Sequence, residues 1–382
     1  MHLSKTSIFL AVAIIFFNSC IEEYTPETDS GDAELYVVEG RVSGREGFHY
    51  IQISRSSAIA DPGWIPVWNC DVKISDNQGN QFMASELGNG KYRVNISADF
   101  LIPGTAFRVE VNTPTGELLL SDYDTLTSCP EIDSIYYEIE DFPASAESFI
   151  PGIQFYVDYN GENSTAGRIK YEIEETWQYE VDYPIKWTWD GRVLTIYDTP
   201  DYSKSVCWNT VANNRIFTLS TNNLNTNRFK KFPLHHVLNN SRKLLIGYSI
   251  LFKQLSISEE AFTYFEKIQD NSMESGGLYE TQPQQIEGNI RNASDPGSRV
   301  LGYFYAAGIK EKRIFIDRVD GLELNPATLC SPIYLQLGYG ILRNLEKPVY
   351  LWLENGTYLL HEMCVDCTTW GGKTIKPGFW PN

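Results

Sequence analysis

Period-two alternation between apolar and polar residues recurs along this chain, and it constrains the fold more than any other feature. Leu35-Tyr36-Val37-Val38-Glu39-Gly40-Arg41-Val42, Tyr50-Ile51-Gln52-Ile53, Val72-Lys73-Ile74, Tyr92-Arg93-Val94-Asn95-Ile96 and Phe107-Arg108-Val109-Glu110-Val111 all read as strands. Such strands bury one face and wet the other. Turn signals separate them: Asp76-Asn77-Gln78-Gly79, Gly88-Asn89-Gly90 and Pro103-Gly104. About seven short strands at this spacing predict an immunoglobulin-like β-sandwich over 34–128. Cys129-Pro130 marks the expected boundary. A second β region opens at Ile135-Tyr136-Tyr137-Glu138-Ile139 and continues to the end. The segment Ser258-Glu259-Glu260-Ala261-Phe262 to Ile268 departs from alternation. Ser258 can cap a helix there, two acids occupy its first turn, and Phe262, Phe265 and Ile268 share one face. The expected architecture is mainly β, a first sandwich followed by a larger β-sandwich over 129–382 with one packed helix near 258–270.

The N-terminus reads as an address. Lys5 precedes an unbroken apolar run, Ile8–Phe17, and Ser19 precedes Cys20. The run is shorter than the ~18 residues of a spanning helix, so 1–19 reads as a signal peptide. A small residue followed by cysteine is the bacterial lipoprotein pattern, which makes Cys20 the lipidated residue. Acyl chains anchor at roughly 0.8 kcal/mol per buried methylene. Residues 20–33 then form a polar tether. Glu22 and Glu23 resemble the acidic signal that carries Bacteroidetes lipoproteins to the outer face of the outer membrane. The expected location is therefore the outer membrane, lipid-anchored and surface-exposed.

The formal net charge of -18 argues against nucleic acid, whose phosphates call for a basic surface. It equally disfavours lying flat on an anionic membrane. With Cys20 lipidated, six cysteines remain: Cys70, Cys129, Cys207, Cys330, Cys364 and Cys367. An even number in an exported chain predicts disulfides, with buried free thiols as the alternative and the connectivity open.

No pattern specifies a catalyst. His361, Cys364 and Cys367 give H-x2-C-x2-C, one ligand short of a zinc site. His361-Glu362 opens a metalloprotease-like motif that fails at Val365. His235 and His236 are adjacent, so on a strand they point apart. Glu172, Glu174, Glu175 and Glu180 read as solvated strand faces. No catalytic residue, metal or cofactor is assigned. Aromatic residues are in excess, at 13% of the chain, and Trp177, Tyr179, Tyr183, Trp187, Trp189 and Trp208 crowd one region. They are the candidate binding aromatics. Their faces form either a platform for a ligand or the core of a sheet, and core is the default.

The C-terminal stretch Cys364-Val365-Asp366-Cys367-Thr368-Thr369-Trp370-Gly371-Gly372 through Trp380 resembles that of a Bacteroidetes lipoprotein family, domain of unknown function 4249. Tyr36-Val37-Val38-Glu39-Gly40, Val206-Cys207-Trp208, Gly288-Asn289-Ile290-Arg291-Asn292 and Leu301-Gly302-Tyr303-Phe304 are similar too. The resemblance implies a non-enzymatic accessory of a TonB-dependent outer-membrane transporter, binding a peptide, glycan or chelate for uptake. A structural or adhesive surface protein and a surface hydrolase are the rival expectations. One pairing is hypothesised: Cys207 with either Cys364 or Cys367, clamping the tail to the second region.

Overall fold

A computed structural model describes residues 34–57, 61–145, 147–273, 286–328, 330–336 and 339–381. The signal peptide, the tether, Cys20, Glu22 and Glu23 lie outside the described residues.

The first region contributes β1 (Tyr36–Ser43), β2 (Gly47–Arg55), β3 (Ile65–Pro66), β4 (Asp71–Asp76), β5 (Gln81–Met83), β6 (Ser85–Gly88), β7 (Lys91–Ile96), β8 (Ala106–Asn112), β9 (Leu118–Ser121) and β10 (Asp124–Thr125). Their alternation is realised as expected: in β7, Tyr92, Val94 and Ile96 are buried and the residues between them are exposed. The inward residues of β1, β2 and β7 meet those of β4, β8 and β9 in one core, a two-layer sandwich.

The second region contributes β11 (Ser134–Ser145), β12 (Ser148–Asn160), β13 (Arg168–Glu180), β14 (Ile185–Trp189), β15 (Leu194–Asp201), β16 (Val206–Ser220), β17 (Arg228–Leu238) and β18 (Gly247–Ser256). The helix α1 (Glu259–Met273) follows, then β19 (Ile290–Asn292), β20 (Val300–Leu301) and β21 (Phe304–Ile316). A small C-terminal group is β22 (Ile333–Tyr334), β23 (Val349–Trp352) and β24 (Tyr358–Leu360). Ser258 caps α1 as expected, its Oγ accepting from the Ala261 N–H at 3.1 Å.

The fold is mainly β, with several sheets and one helix among the described residues. It differs from two separate sandwiches in one respect. A single long sheet runs β16-β13-β18-β21-β1-β2-β7-β6 through both regions. The join is the parallel pair β1–β21, in which Arg41 lies beside Tyr305 and Val42 beside Ala306. β19 and β20 also return to the first region, onto β9 and β1. The boundary at 128/129 is therefore a change of partner layer, not a break in hydrogen bonding. Local patterning could not show this, because a parallel pair joins strands far apart in sequence. Gly302 makes the close passage possible. It has φ +95°, and a Cβ there would stand 2.2 Å from the Val38 carbonyl oxygen.

The two partner layers pack on the same face of the long sheet. β9-β8-β4-β5 covers β1, β2 and β7, and β11-β12-β17 covers β13, β18 and β16. The opposite face is covered in its middle by α1, through Ala261, Phe262 and Phe265 against Leu255, Tyr303, Tyr305 and Ala307. β15-β14-β23-β24-β22 forms a separate small sheet.

Candidate functional site

Alternation decides which side chains reach the helix-bearing face. Val38 and Val42 of β1, Ile169 and Tyr171 of β13, and Phe304 and Ala306 of β21 point into the two cores. Arg41, Lys170, Glu172 and Tyr305 are set between them and point the other way. There they line a groove of about 890 Å³ between α1 and the outer face of β1 and β2.

The groove floor is ionic. Arg41 Nη1 donates to Glu172 Oε1 at 2.5 Å and to the Tyr305 hydroxyl at 3.2 Å. Lys170 Nζ donates to the same Glu172 oxygen at 3.0 Å and to the same hydroxyl at 3.1 Å. It also lies 4.0 Å from the centre of the Phe265 ring. Burial alone would raise the Glu172 carboxyl. The Lys170 ammonium and Arg41 guanidinium more than offset that, holding it at about 2. The pKa of Lys170 is raised in turn, burial, which lowers it, being outweighed by Tyr305 and Glu172. Tyr264, Phe265 and Ile268 of α1, with Tyr303, form the helix-side wall. Phe48 and Tyr50 form the outer rim and are 53% and 57% exposed, unusual for large apolar side chains that share one face.

A second charged cluster lies three residues along β13, on the opposite face. Glu175 is 4% exposed. Its carboxylate accepts from Lys243 Nζ at 2.9 Å on both oxygens and from the Tyr248 hydroxyl at 2.7 Å. His235 Nε2 is 2.9 Å away, and its Nδ1 meets Asn213 Nδ2 at 3.1 Å. Burial raises the Glu175 carboxyl, but His235 and Lys243 bring it down to about 2. The carboxylate and Tyr248, 1% exposed, are enclosed between layers, while Lys243 keeps 28% of its side chain open. This corrects the expectation for Glu175 as a solvated strand-face acid. Glu174 pairs with Arg313 at 2.8 Å, and Glu180 is exposed. His235 and His236 point apart as expected, His236 stacking on Phe142.

The six candidate binding aromatics do not form one platform, and none of them is exposed. Trp187 is buried with Leu342, Val349 and Leu351, and Trp352 meets it edge-on at 5.1 Å. Tyr183 packs edge-on against Trp352 at 5.0 Å, and Trp189 joins the Trp187 cluster. Tyr179 stacks on Trp370 at 5.5 Å and donates its hydroxyl to the Cys367 carbonyl. Trp177 packs beside it. Trp208 exchanges two backbone hydrogen bonds with Lys373, each 2.9 Å. The packing follows the default reading, core, rather than a platform. Trp177, Tyr179, Trp370, Arg242 and Lys243 leave only a smaller cleft of about 310 Å³.

The cysteines divide four to two. Cys207 is bonded to Cys367, and Cys330 to Cys364. This is the clamp expected for Cys207, now with its partner. Cys70 and Cys129 are free thiols, so the outcome combines the expected disulfides with the alternative of free thiols. Burial pushes the Cys129 thiol up to about 11, and the thiol donates to the Gln254 carbonyl at 3.3 Å. With Cys364 and Cys367 oxidised, the H-x2-C-x2-C stretch offers His361 no thiolate co-ligand.

The groove residues were not legible as a site, because Arg41 and Glu172 stand 131 positions apart and meet only through the β1–β21 join. The sequence matches the family model described as Domain of unknown function (DUF4249) over residues 21–313. The chain belongs to the DUF4249 family. The span matched to DUF4249 includes every residue of the groove floor. It ends before Cys364–Trp380, the stretch on which the sequence resemblance leaned most. No curated protein matches. Among solved structures, a DUF4785 family protein from Legionella pneumophila is similar at 10% identity over 58% of this chain and 53% of its own, with a TM-score of 0.17. The chain thus spans about half the length of that protein, and a likeness of that order carries no argument about function.

Proposed function

We propose that this protein is a surface-exposed outer-membrane lipoprotein that captures a nutrient without covalent chemistry and hands it to a TonB-dependent transporter. The observation that carries the reading is the groove beside α1. Its polar floor is held by mutual hydrogen bonds among Arg41, Lys170, Glu172 and Tyr305, and its aromatic rim faces solvent. That combination suits an orienting polar contact at the base of an apolar pocket. The size, about 890 Å³, suits a ligand of several rings or residues better than a bare ion. The order signal, Cys20, tether supports the anchor, and Glu22 and Glu23 support the outer face. Two disulfides suit an oxidising compartment.

The test is affinity isolation of the full-length, lipid-anchored chain from outer membranes. Co-isolation of a TonB-dependent barrel is the expected result. Recovery of assemblies of this chain alone would overturn the reading in favour of a structural or adhesive protein. For the address, Glu22→Ala with Glu23→Ala should abolish protease accessibility on intact cells, and unchanged accessibility would remove the acidic pair from the argument.

A further inference from the structure

The groove floor carries more positive charge than it neutralises. Arg41 and Lys170 share one carboxylate, and both bond to the same Glu172 oxygen. Lys170 is 8% exposed, and its ammonium is used up by Glu172, Tyr305 and the Phe265 ring. Arg41 is different. Its bonds within the floor are made by Nη1, while 27% of its side chain is open to the groove. Guanidinium is the side chain best matched to a planar or tetrahedral oxyanion, through paired N–H donors. Lys253 stands across from Glu172 in strand register and makes no ion pair among the described residues. Arg45 does not add to the excess, since it pairs with Glu311 at 2.7 Å. Glu39 lies on the same face further along β1, exposed, and pairs with neither floor cation. A partly desolvated cation in excess of its counter-charge favours an incoming anion.

We propose that the groove takes an organic anion, its oxyanion head received by the open edge of Arg41 and its apolar body by Phe48, Tyr50, Tyr264 and Tyr303. This deepens the capture reading and rests on it. The head is a carboxylate or a phosphate, the two groups that fit the guanidinium edge. Sugars without charge and cationic ligands are the classes it disfavours.

The test uses the purified mature chain and three small probes: 3-phenylpropionate, phenyl phosphate and the neutral 3-phenylpropionamide. Titration is followed by calorimetry or by ligand-observed NMR. At least one anion should bind ten-fold or more tightly than the amide, and which anion leads separates carboxylate from phosphate. Arg41→Gln should bring the anion down to the level of the amide, while Arg41→Lys restores part of the preference. Equal binding of anions and amide to the unsubstituted chain overturns the anion inference but leaves the groove as a capture site. An unchanged preference in Arg41→Gln also overturns it. Binding of none of the three overturns both. The comparison on the unsubstituted chain decides the matter even if Arg41→Gln does not fold.

Discussion

Glu172 and Glu175 stand three residues apart on one strand, on opposite faces, and both are held at about 2. Their surroundings otherwise differ. Glu175 lies between two layers and is met by Lys243, Tyr248 and His235, with 6% of its own side chain exposed and 28% of that of Lys243 open toward the smaller cleft. Glu172 is met by two cations from β1 and β13, on the face that α1 and, further along, Phe379 and Trp380 partly cover, and 29% of its side chain is exposed. Similar shifts in acidity thus accompany two roles. The inner cluster fixes the packing of the second sandwich. The open one leaves a guanidinium edge toward a groove. Both Arg41 and Lys243 keep an open side, so the two sites differ in the burial of the carboxylate and in the space beside it, about 890 Å³ against about 310 Å³.

The comparison can be broken first through stability. Glu175→Gln removes the shared acceptor of Lys243, Tyr248 and His235 and should cost about 2–4 kcal/mol. Chemical denaturation of the variant checks it, and a loss below about 1 kcal/mol would mean that the buried carboxylate does not hold the layers together. Cys207→Ser releases the tail from β16 and should cost about 2–4 kcal/mol, read from the same experiment.

Glu172→Gln should cost less, about 1–2 kcal/mol, because water reaches its partners. Acid titration sharpens the pair. A carboxyl lowered from 4.5 to about 2 contributes stability that is complete above pH 4.5 and lost as pH falls toward 2. His49, lowered to about 4 by burial and then by Arg41, adds a separate loss as pH falls from 6.5 toward 4. Denaturation midpoints of Glu175→Gln should therefore keep the upper slope and flatten between pH 4.5 and 2. A lower slope equal to that of the parent would contradict the assignment.

The smallest expected effect belongs to the rim. Phe48→Ala and Tyr50→Ala should change stability by no more than about 0.5 kcal/mol, since both side chains are largely in water. Trp187→Ala, made in the same assay as a contrast, should cost about 3–5 kcal/mol. A large loss at the rim would mean that those rings hold the sheet together.

The alternation of Tyr92, Val94 and Ile96 announced a strand with one buried face, and Ser258, Phe262 and Phe265 announced a capped, one-faced helix. These are local signals, and they were legible. The same alternation put Ile173, Glu175 and Trp177 on one face but could not say whether another layer covers it. Glu175 was therefore read as solvated, and Trp187 had two readings. The groove was less legible still. Arg41 comes from the first region and Lys170 from the second, and only the parallel β1–β21 pair sets them on a shared face. Such contacts follow from topology, which a period of two does not encode.

The account's central claim is that binding occurs on the helix-bearing face of the long sheet. Backbone amide shifts of the mature chain titrated with 3-phenylpropionate test it most directly. The largest changes should fall within 39–43, 48–52, 170–172, 264–268 and 303–309, around the groove. Shifts confined to the Trp177–Trp370 cleft, with the groove unmoved, would contradict it.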